Sequence, residues 1–147
     1  MLRSTGESAS EMPKTNLQQQ ITVHALPSKV WKVLTSPEYV NQYFFKNDIH
    51  CDWTEGSSIV PVSESRELAL SRGRVLESVP GISLKFNFLE ENTSAYLTTT
   101  YELIVARDGV ELKMKCEGFT ATNQEYLIRT QQANLILQKI KWLSEYS

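Results

Sequence analysis

Apolar and polar side chains alternate where the folded part of the chain is expected to begin. Leu17, Ile21 and Val23 are separated by glutamine and threonine residues, and a period of two is typical of a half-buried strand. The pattern then changes in "PSKVWKVLT", from Pro27, and in "SPEYVNQYF", from Ser36, because each segment places a proline where a helix can begin. We therefore predict one strand followed by two short helices.

The middle of the chain consists of short strand-like segments separated by turn residues. The breaks at residues 55–56, 63–65 and 80–81 are short, so we expect neighbouring strands to pair antiparallel. Asp108 and Gly109 lie between "TSAYLTTTYELIVA" and "VELKMKCEGF", which predicts a tight hairpin. In total, we predict about six antiparallel strands after the two helices.

One of these segments carries large apolar side chains on a single face. Ile82, Leu84, Phe86 and Phe88 occupy every second position, with polar residues between them. Such a face covers either a packed core or the wall of a cavity, and the pattern alone is consistent with both.

From Thr122 onward the chain shows the period of a helix. The segment that follows has no glycine or proline, and Thr120 or Thr122 is predicted to cap its start. The predicted order is typical of an α+β fold in which a curved sheet lies against one long helix. Because that helix touches only part of the sheet, space is expected between them. The helix's apolar stripe consists of Tyr126, Ala133, Ile136, Leu137, Ile140 and Leu143.

Composition and charge narrow the class of protein. The length of 147 residues fits one domain, and the serine-rich and glutamate-rich residues 1–15 are predicted to form a disordered tail before a single domain over residues 16–147. A net charge of −2 argues against a nucleic-acid partner. No apolar run approaches the ~20 residues of a membrane span, and the N-terminus lacks the apolar region of a signal peptide, so we expect a cytoplasmic protein. Cys51 and Cys116 are expected to be free thiols.

Three segments in this order resemble a known family: "ALPSKVWKVLTSPEYVNQYF", "DWTEGSSI" and "GRVLESVPGISLKF". They are similar to its small-Pro-x-x-x-Val-Trp-x-x-Leu-Thr-x-Pro-Glu opening, its glycine-containing hairpin and its Gly-x-Val-x-Glu-x-x-Pro segment. The family is that of the homologues of the activator of the heat-shock protein 90 ATPase, in the START-like (SRPBCC) superfamily. The resemblance covers about residues 17–146. It implies the α+β helix-grip fold, also found in the birch-pollen allergen, in which a curved antiparallel sheet of six to seven strands wraps around a long C-terminal helix.

The space between the sheet and the last helix is the candidate ligand site. Aromatic and methionine side chains suit an apolar ligand because they offer large, adaptable contact surfaces. Thr130 and Ala133 are small or polar positions on the helix stripe and favour some empty volume. The alternative, that all of these side chains form plain core, stays open. The predicted lining residues are Phe86, Phe88, Tyr101, Leu112, Met114, Cys116, Tyr126, Thr130, Ala133 and Leu137.

The sequence offers little for catalysis. His50 and Cys51 are adjacent on a strand and therefore point to opposite faces, so they cannot act as base and nucleophile together. With two histidines and two cysteines at unrelated spacings, we expect no metal site and no cofactor. Glu77 in a strand register could be a buried acid or base, but an exposed glutamate is much commoner. We therefore assign no catalytic residue.

Three functions remain as hypotheses. The first is a binding module that encloses a small apolar molecule, such as a lipid or an aromatic metabolite. The second, implied only by the resemblance, is a chaperone-associated module. The third is a cyclase- or hydrolase-type enzyme that acts inside the cavity, and it requires polar groups that the pattern does not reveal. A solvent-facing Trp142 or an exposed edge strand would allow a homodimer, so the chain is expected to be a monomer or a homodimer.

Overall fold

The computed structural model describes residues 14–44, 48–63, 65, 67–90 and 95–147. The strands are β1 (Lys14–Val23), β2 (Ile49–His50), β3 (Ser58–Pro61), β4 (Gly73–Val79), β5 (Ser83–Leu89), β6 (Tyr96–Ala106) and β7 (Gly109–Ala121). The helices are α1 (Pro27–Thr35), α2 (Pro37–Tyr43) and α3 (Asn123–Tyr146). This is the predicted order of one strand, two short helices, six strands and one long helix.

The seven strands in the described part of the chain form one curved antiparallel sheet. Their order is β1-β7-β6-β5-β4-β3-β2, so the first strand in the sequence pairs with the last. The long helix α3 lies against this sheet and packs on β1, with α1 and α2 beside it. The predicted α+β helix-grip fold is confirmed.

Two local predictions from the sequence, the hairpin and the helix cap, are confirmed. The β6–β7 hairpin is tight, because Ala106 pairs with Gly109 and only Arg107 and Asp108 lie between them. Of the two candidate caps for α3, Thr122 is the N-cap. Its hydroxyl accepts from the Glu125 N–H and its own N–H donates to the Glu125 carboxylate, which forms a reciprocal capping box.

The strand boundaries differ from the prediction at several positions, including the starts of β1, β4 and β5. β1 begins at Lys14, inside the segment assigned to a tail, while residues 1–13 lie outside the described residues. The segment "LALSRGRVLESV" predicts a strand from Leu68, but β4 begins at Gly73, and Leu68 makes only an isolated bridge to Val62. Ile82 does not share the covered face of β5, because it lies in the turn before that strand and is 59% exposed.

The core lies between the sheet and the C-terminal half of α3. Leu137, Ile140 and Leu143 of the predicted stripe are fully buried there, against the apolar faces of β1, β7 and α1. None of the helices in the described part of the chain is long and apolar enough to cross a membrane.

Candidate functional site

A cavity of about 640 Å³ lies between the sheet and the N-terminal half of α3. This volume falls within the range of roughly 300–1,000 Å³ that is usual for small-molecule sites. On α3 the cavity is bounded by residues from Arg129 to Ile136, and beyond Ile136 the helix is buried in the core.

The sheet side of the cavity is built from residues that pair directly across neighbouring strands. One row crosses four strands: Leu17 of β1 pairs with Cys116 of β7, Cys116 pairs with Thr99 of β6, and Thr99 pairs with Phe86 of β5. Because paired residues of a sheet point to the same face, the whole row faces α3 and lines the cavity. Two adjacent pairs extend this wall, Met114 with Tyr101 and Phe88 with Leu97.

Phe44 closes another side of the cavity. Helix α2 ends at Tyr43, and Phe44 follows with extended backbone angles, φ −72° and ψ 132°. Its ring centre lies 5.3 Å from that of Phe88, 5.8 Å from that of Phe86 and 6.2 Å from that of Trp53. These are the distances of aromatic pairs in contact, so one aromatic cluster connects α2 to the middle of the sheet.

Charged side chains lie on the half-exposed side of the cavity. The Arg129 Nη2 donates to both carboxylate oxygens of Glu90, at 2.8 and 3.0 Å, and the Arg129 guanidinium carbon lies 4.5 Å from the ring centre of Phe119. Arg72 donates from Nη2 to the Leu89 carbonyl oxygen at 2.8 Å. Both arginines line the cavity, together with Glu90.

Two buried groups that face the cavity stay neutral at ordinary pH. Burial raises the pKa of the Tyr101 hydroxyl well above its usual value, and nearby Tyr43 and Cys116 raise it further. Burial also raises the pKa of the Cys116 thiol, although the hydrogen bond between Thr99 and this thiol and the charge of Arg129 oppose the shift. A protonated thiol is a poor nucleophile, so both groups serve as weak polar contacts in an apolar wall.

The described residues contain no group of three or more histidine, cysteine, aspartate or glutamate side chains placed to hold a metal ion. His50 is exposed at the end of β2, whereas Cys51 follows the strand rather than belonging to it and is buried. Glu77 is exposed and accepts a hydrogen bond from Ser83 at 3.1 Å. None of these four residues, His50, Cys51, Glu77 and Ser83, lines the cavity.

The structure brings together six of the ten residues that were predicted to line the site. Phe86, Phe88, Tyr101, Met114, Cys116 and Ala133 bound the cavity. The other four lie elsewhere. Leu112 and Leu137 are fully buried in the core. The ring of Tyr126 packs on Phe119, with centres 6.5 Å apart, and Thr130 lies beside β1, since its backbone carbonyl oxygen accepts from Gln19 of that strand at 3.1 Å.

Sequence reasoning missed several lining residues, and three of them lie just outside regular elements. Phe44 is the residue after α2, Arg72 precedes β4 and Glu90 follows β5. An alternating pattern assigns a face only within a strand, so it gave no orientation for these three. The available signal was weaker: an aromatic or charged residue directly at the end of an apolar segment.

Comparison with known proteins places the chain in a family. Residues 24–145 match the family described as Activator of Hsp90 ATPase homolog 1-like protein. No curated protein matches the chain.

Several solved structures share the fold. A protein from Mesorhizobium loti has a TM-score of 0.71 at 19% identity, over 87% of this chain and 95% of its own. A protein from Cytophaga hutchinsonii has a TM-score of 0.70 at 23% identity, over 88% of this chain and 93% of its own. The Aha1 dimer from Colwellia psychrerythraea has a TM-score of 0.71 at 14% identity, over 90% of this chain and 98% of its own. At these identities the likeness concerns the fold, and the family match covers most of the sequence. The chain therefore belongs to the family of Activator of Hsp90 ATPase homolog 1-like proteins.

Proposed function

We propose that this protein binds a small, mainly apolar molecule in the cavity between its sheet and α3. The observation that carries the proposal is the cavity itself, with its volume of about 640 Å³ and its aromatic and methionine lining. A wall of Phe44, Phe86, Phe88 and Met114 favours an apolar body, since removal of apolar surface from water contributes roughly 25 cal/mol per Å². The neutral hydroxyl of Tyr101 and the half-exposed charges supply the few polar contacts that orient a ligand.

Native mass spectrometry of freshly purified protein tests this proposal. We expect a stoichiometric adduct, either retained from expression or acquired from a library of lipids and aromatic metabolites. Denaturation of the same sample should release the molecule for identification. An apo mass that persists after challenge with the library would contradict the proposal.

Two matched variants test whether the bound molecule occupies the cavity. Ala133 is buried and lines the cavity, so Ala133→Phe places a ring inside the space that the ligand would occupy. Gln131, two residues earlier on α3, is exposed, and Gln131→Phe adds the same ring outside the cavity. We expect the adduct to disappear only in Ala133→Phe, with thermal unfolding used to confirm that both variants are folded.

Family membership suggests a second test, for a contact with heat-shock protein 90. One fold hosts many functions, so the family description does not by itself carry an ATPase-activating role to this chain. If the protein stays free of ligand, a pull-down with heat-shock protein 90 and an ATPase assay become the tests of a surface-mediated role.

A further inference from the structure

Backbone and side-chain hydrogen bonds fix the position of Arg72 at the cavity wall. Its backbone N–H donates to the Ile59 carbonyl oxygen at 2.9 Å, and its own carbonyl oxygen accepts from the Leu89 N–H at 2.7 Å. Its side chain then donates to the Leu89 carbonyl oxygen, and the guanidinium carbon lies 5.8 Å from the ring centre of Phe88. The guanidinium is therefore positioned beside the aromatic wall by hydrogen bonds from both its backbone and its side chain.

The charges on the cavity wall do not cancel. Arg72, Glu90 and Arg129 are the charged lining residues in the part of the chain that the structure describes. Glu90 pairs with Arg129 at 2.8 Å, whereas no carboxylate within residues 14–44, 48–63, 65, 67–90 and 95–147 forms an ion pair with Arg72. One positive charge is left over, and it belongs to Arg72.

The free donors of Arg72 suit a planar anion. A guanidinium has five N–H donors in a fixed fork, and the Leu89 carbonyl occupies one of them. The remaining donors match the two oxygens of a carboxylate, and a half-buried arginine makes such charge-assisted bonds more strongly than an exposed one. A monoanion balances the surplus charge, whereas a dianion would leave an uncompensated negative charge against an apolar wall.

We propose that the ligand of this cavity is an apolar monocarboxylate, with its carboxylate on Arg72 and its apolar body against Phe44, Phe86 and Phe88. This inference rests on the proposed function, because it assigns a ligand class to the same cavity. It makes Arg72 the residue that distinguishes an acid from a neutral molecule of equal length.

Competition against a neutral fluorescent probe tests the assignment. N-phenyl-1-naphthylamine is bound first, and decanoate or decan-1-ol is then used to displace it. The second matched pair is 1-naphthaleneacetate and 2-(1-naphthyl)ethanol, which covers an aromatic ligand shape. We expect each acid to bind about tenfold more tightly than its alcohol, the effect of one or two hydrogen bonds to a charged group.

The variants locate the preference in one side chain. We expect Arg72→Gln to abolish the acid preference while alcohol affinities change less than about twofold, and Arg72→Lys to keep part of it because the charge remains. Arg74 is the control: it is exposed, donates to the Gly56 carbonyl oxygen and lies outside the cavity lining, so Arg74→Gln should keep the full preference. Thermal unfolding of each variant confirms its fold.

The outcomes separate the two proposals. Equal binding of acid and alcohol by the natural sequence, or an acid preference that survives in Arg72→Gln, overturns the assignment of a carboxylate while leaving a cavity that binds apolar molecules. Failure of the probe and of all four compounds to bind saturably overturns the proposed function, and this inference falls with it.

Discussion

The ring of Phe44 stands edge-on to the ring of Phe88, with ring centres 5.3 Å apart and an interplanar angle of 76°. One ring follows the end of α2 and the other belongs to β5, so this contact spans the cavity wall from helix to sheet. Both rings also lie against the space proposed for the ligand. The pair therefore links the stability of the fold to the shape of the site.

Phe44→Ala should weaken both properties. Because Phe44 is half-buried, we expect a smaller loss than for a fully buried phenylalanine, about 2 kcal/mol in the free energy of unfolding. The affinity for N-phenyl-1-naphthylamine should fall at least severalfold, since one apolar wall is lost. Urea unfolding and a probe titration measure the two effects. Tyr39→Ala, in the helix α2 that precedes Phe44 and outside the cavity lining, should leave probe affinity unchanged.

Thr130→Val should leave the protein as stable or make it more stable. Among the residues that the structure describes, the Thr130 hydroxyl is buried and has no hydrogen-bond partner. A buried, unpaired hydroxyl carries a desolvation penalty, and valine replaces it with a methyl group of similar volume. We expect a gain of up to about 1 kcal/mol in the urea unfolding free energy. A loss of more than that amount would indicate that the hydroxyl has a partner in solution, and Thr130→Ser separates the effect of the methyl group.

Thr122→Ala should destabilise the start of α3. The variant removes the side-chain oxygen that accepts from the Glu125 N–H, and such a loss typically costs about 1 kcal/mol. Thr120 is exposed and does not cap the helix, so Thr120→Ala provides a matched control with little effect. Circular dichroism during urea unfolding compares the two. Equal stability of both variants would contradict the capping role.

The stability of the protein should fall in acid partly through Glu145. The hydrogen bond from Lys141 lowers the pKa of this carboxyl below its usual value, and the His24 backbone N–H lowers it further, each at 2.7 Å. A carboxyl with a lowered pKa in the folded state stabilises the fold above its ordinary pKa, and this contribution disappears as the pH falls through the folded-state value. Urea unfolding from pH 7 to pH 3 should therefore show a weaker pH dependence in Glu145→Gln than in the natural sequence.

A charge-matched variant checks that this effect is local. Glu55 is exposed in the connection between β2 and β3, and Glu55→Gln removes the same charge in a part of the chain outside α3. Its pH profile should stay parallel to that of the natural sequence. If the Glu145→Gln profile is parallel as well, the two hydrogen bonds contribute nothing to acid sensitivity.

The fold was predictable because its local signals agree with one another. The Asp108-Gly109 hairpin sets the register of β6 and β7, and the alternating pattern then fixes which side chains face α3. Once this face was known, Phe86, Met114 and Cys116 could be assigned to the same wall. The long helix likewise carried both its cap and its apolar stripe in the sequence.

The extent of the cavity was not predictable from the same pattern. Leu112 and Met114 share a face of β7, yet Met114 lines the cavity and Leu112 is buried in the core. Alternation gives the face of a strand but not the distance between that face and the helix above it. The separation depends on the curvature of the sheet, which arises from all of its strands together. For the same reason, the position of Arg72 on the cavity wall could not be predicted from the sequence, because it depends on where the start of β4 lies in three dimensions.

The position of β1 at the sheet edge, beside β7, also determines the stage of folding at which the cavity forms. Thr22 of β1 donates to Glu111 of β7 at 2.8 Å, although the two residues are 89 positions apart in the sequence. During synthesis β1 leaves the ribosome before β7, so its edge stays unpaired until β7 has emerged. Helix α3 emerges after β7. Closing such a long loop is slow, so the last pairing should limit the rate of folding. Because the cavity is lined by residues of β1, β7 and α3 together, a molecule could fill it only after this last pairing is made.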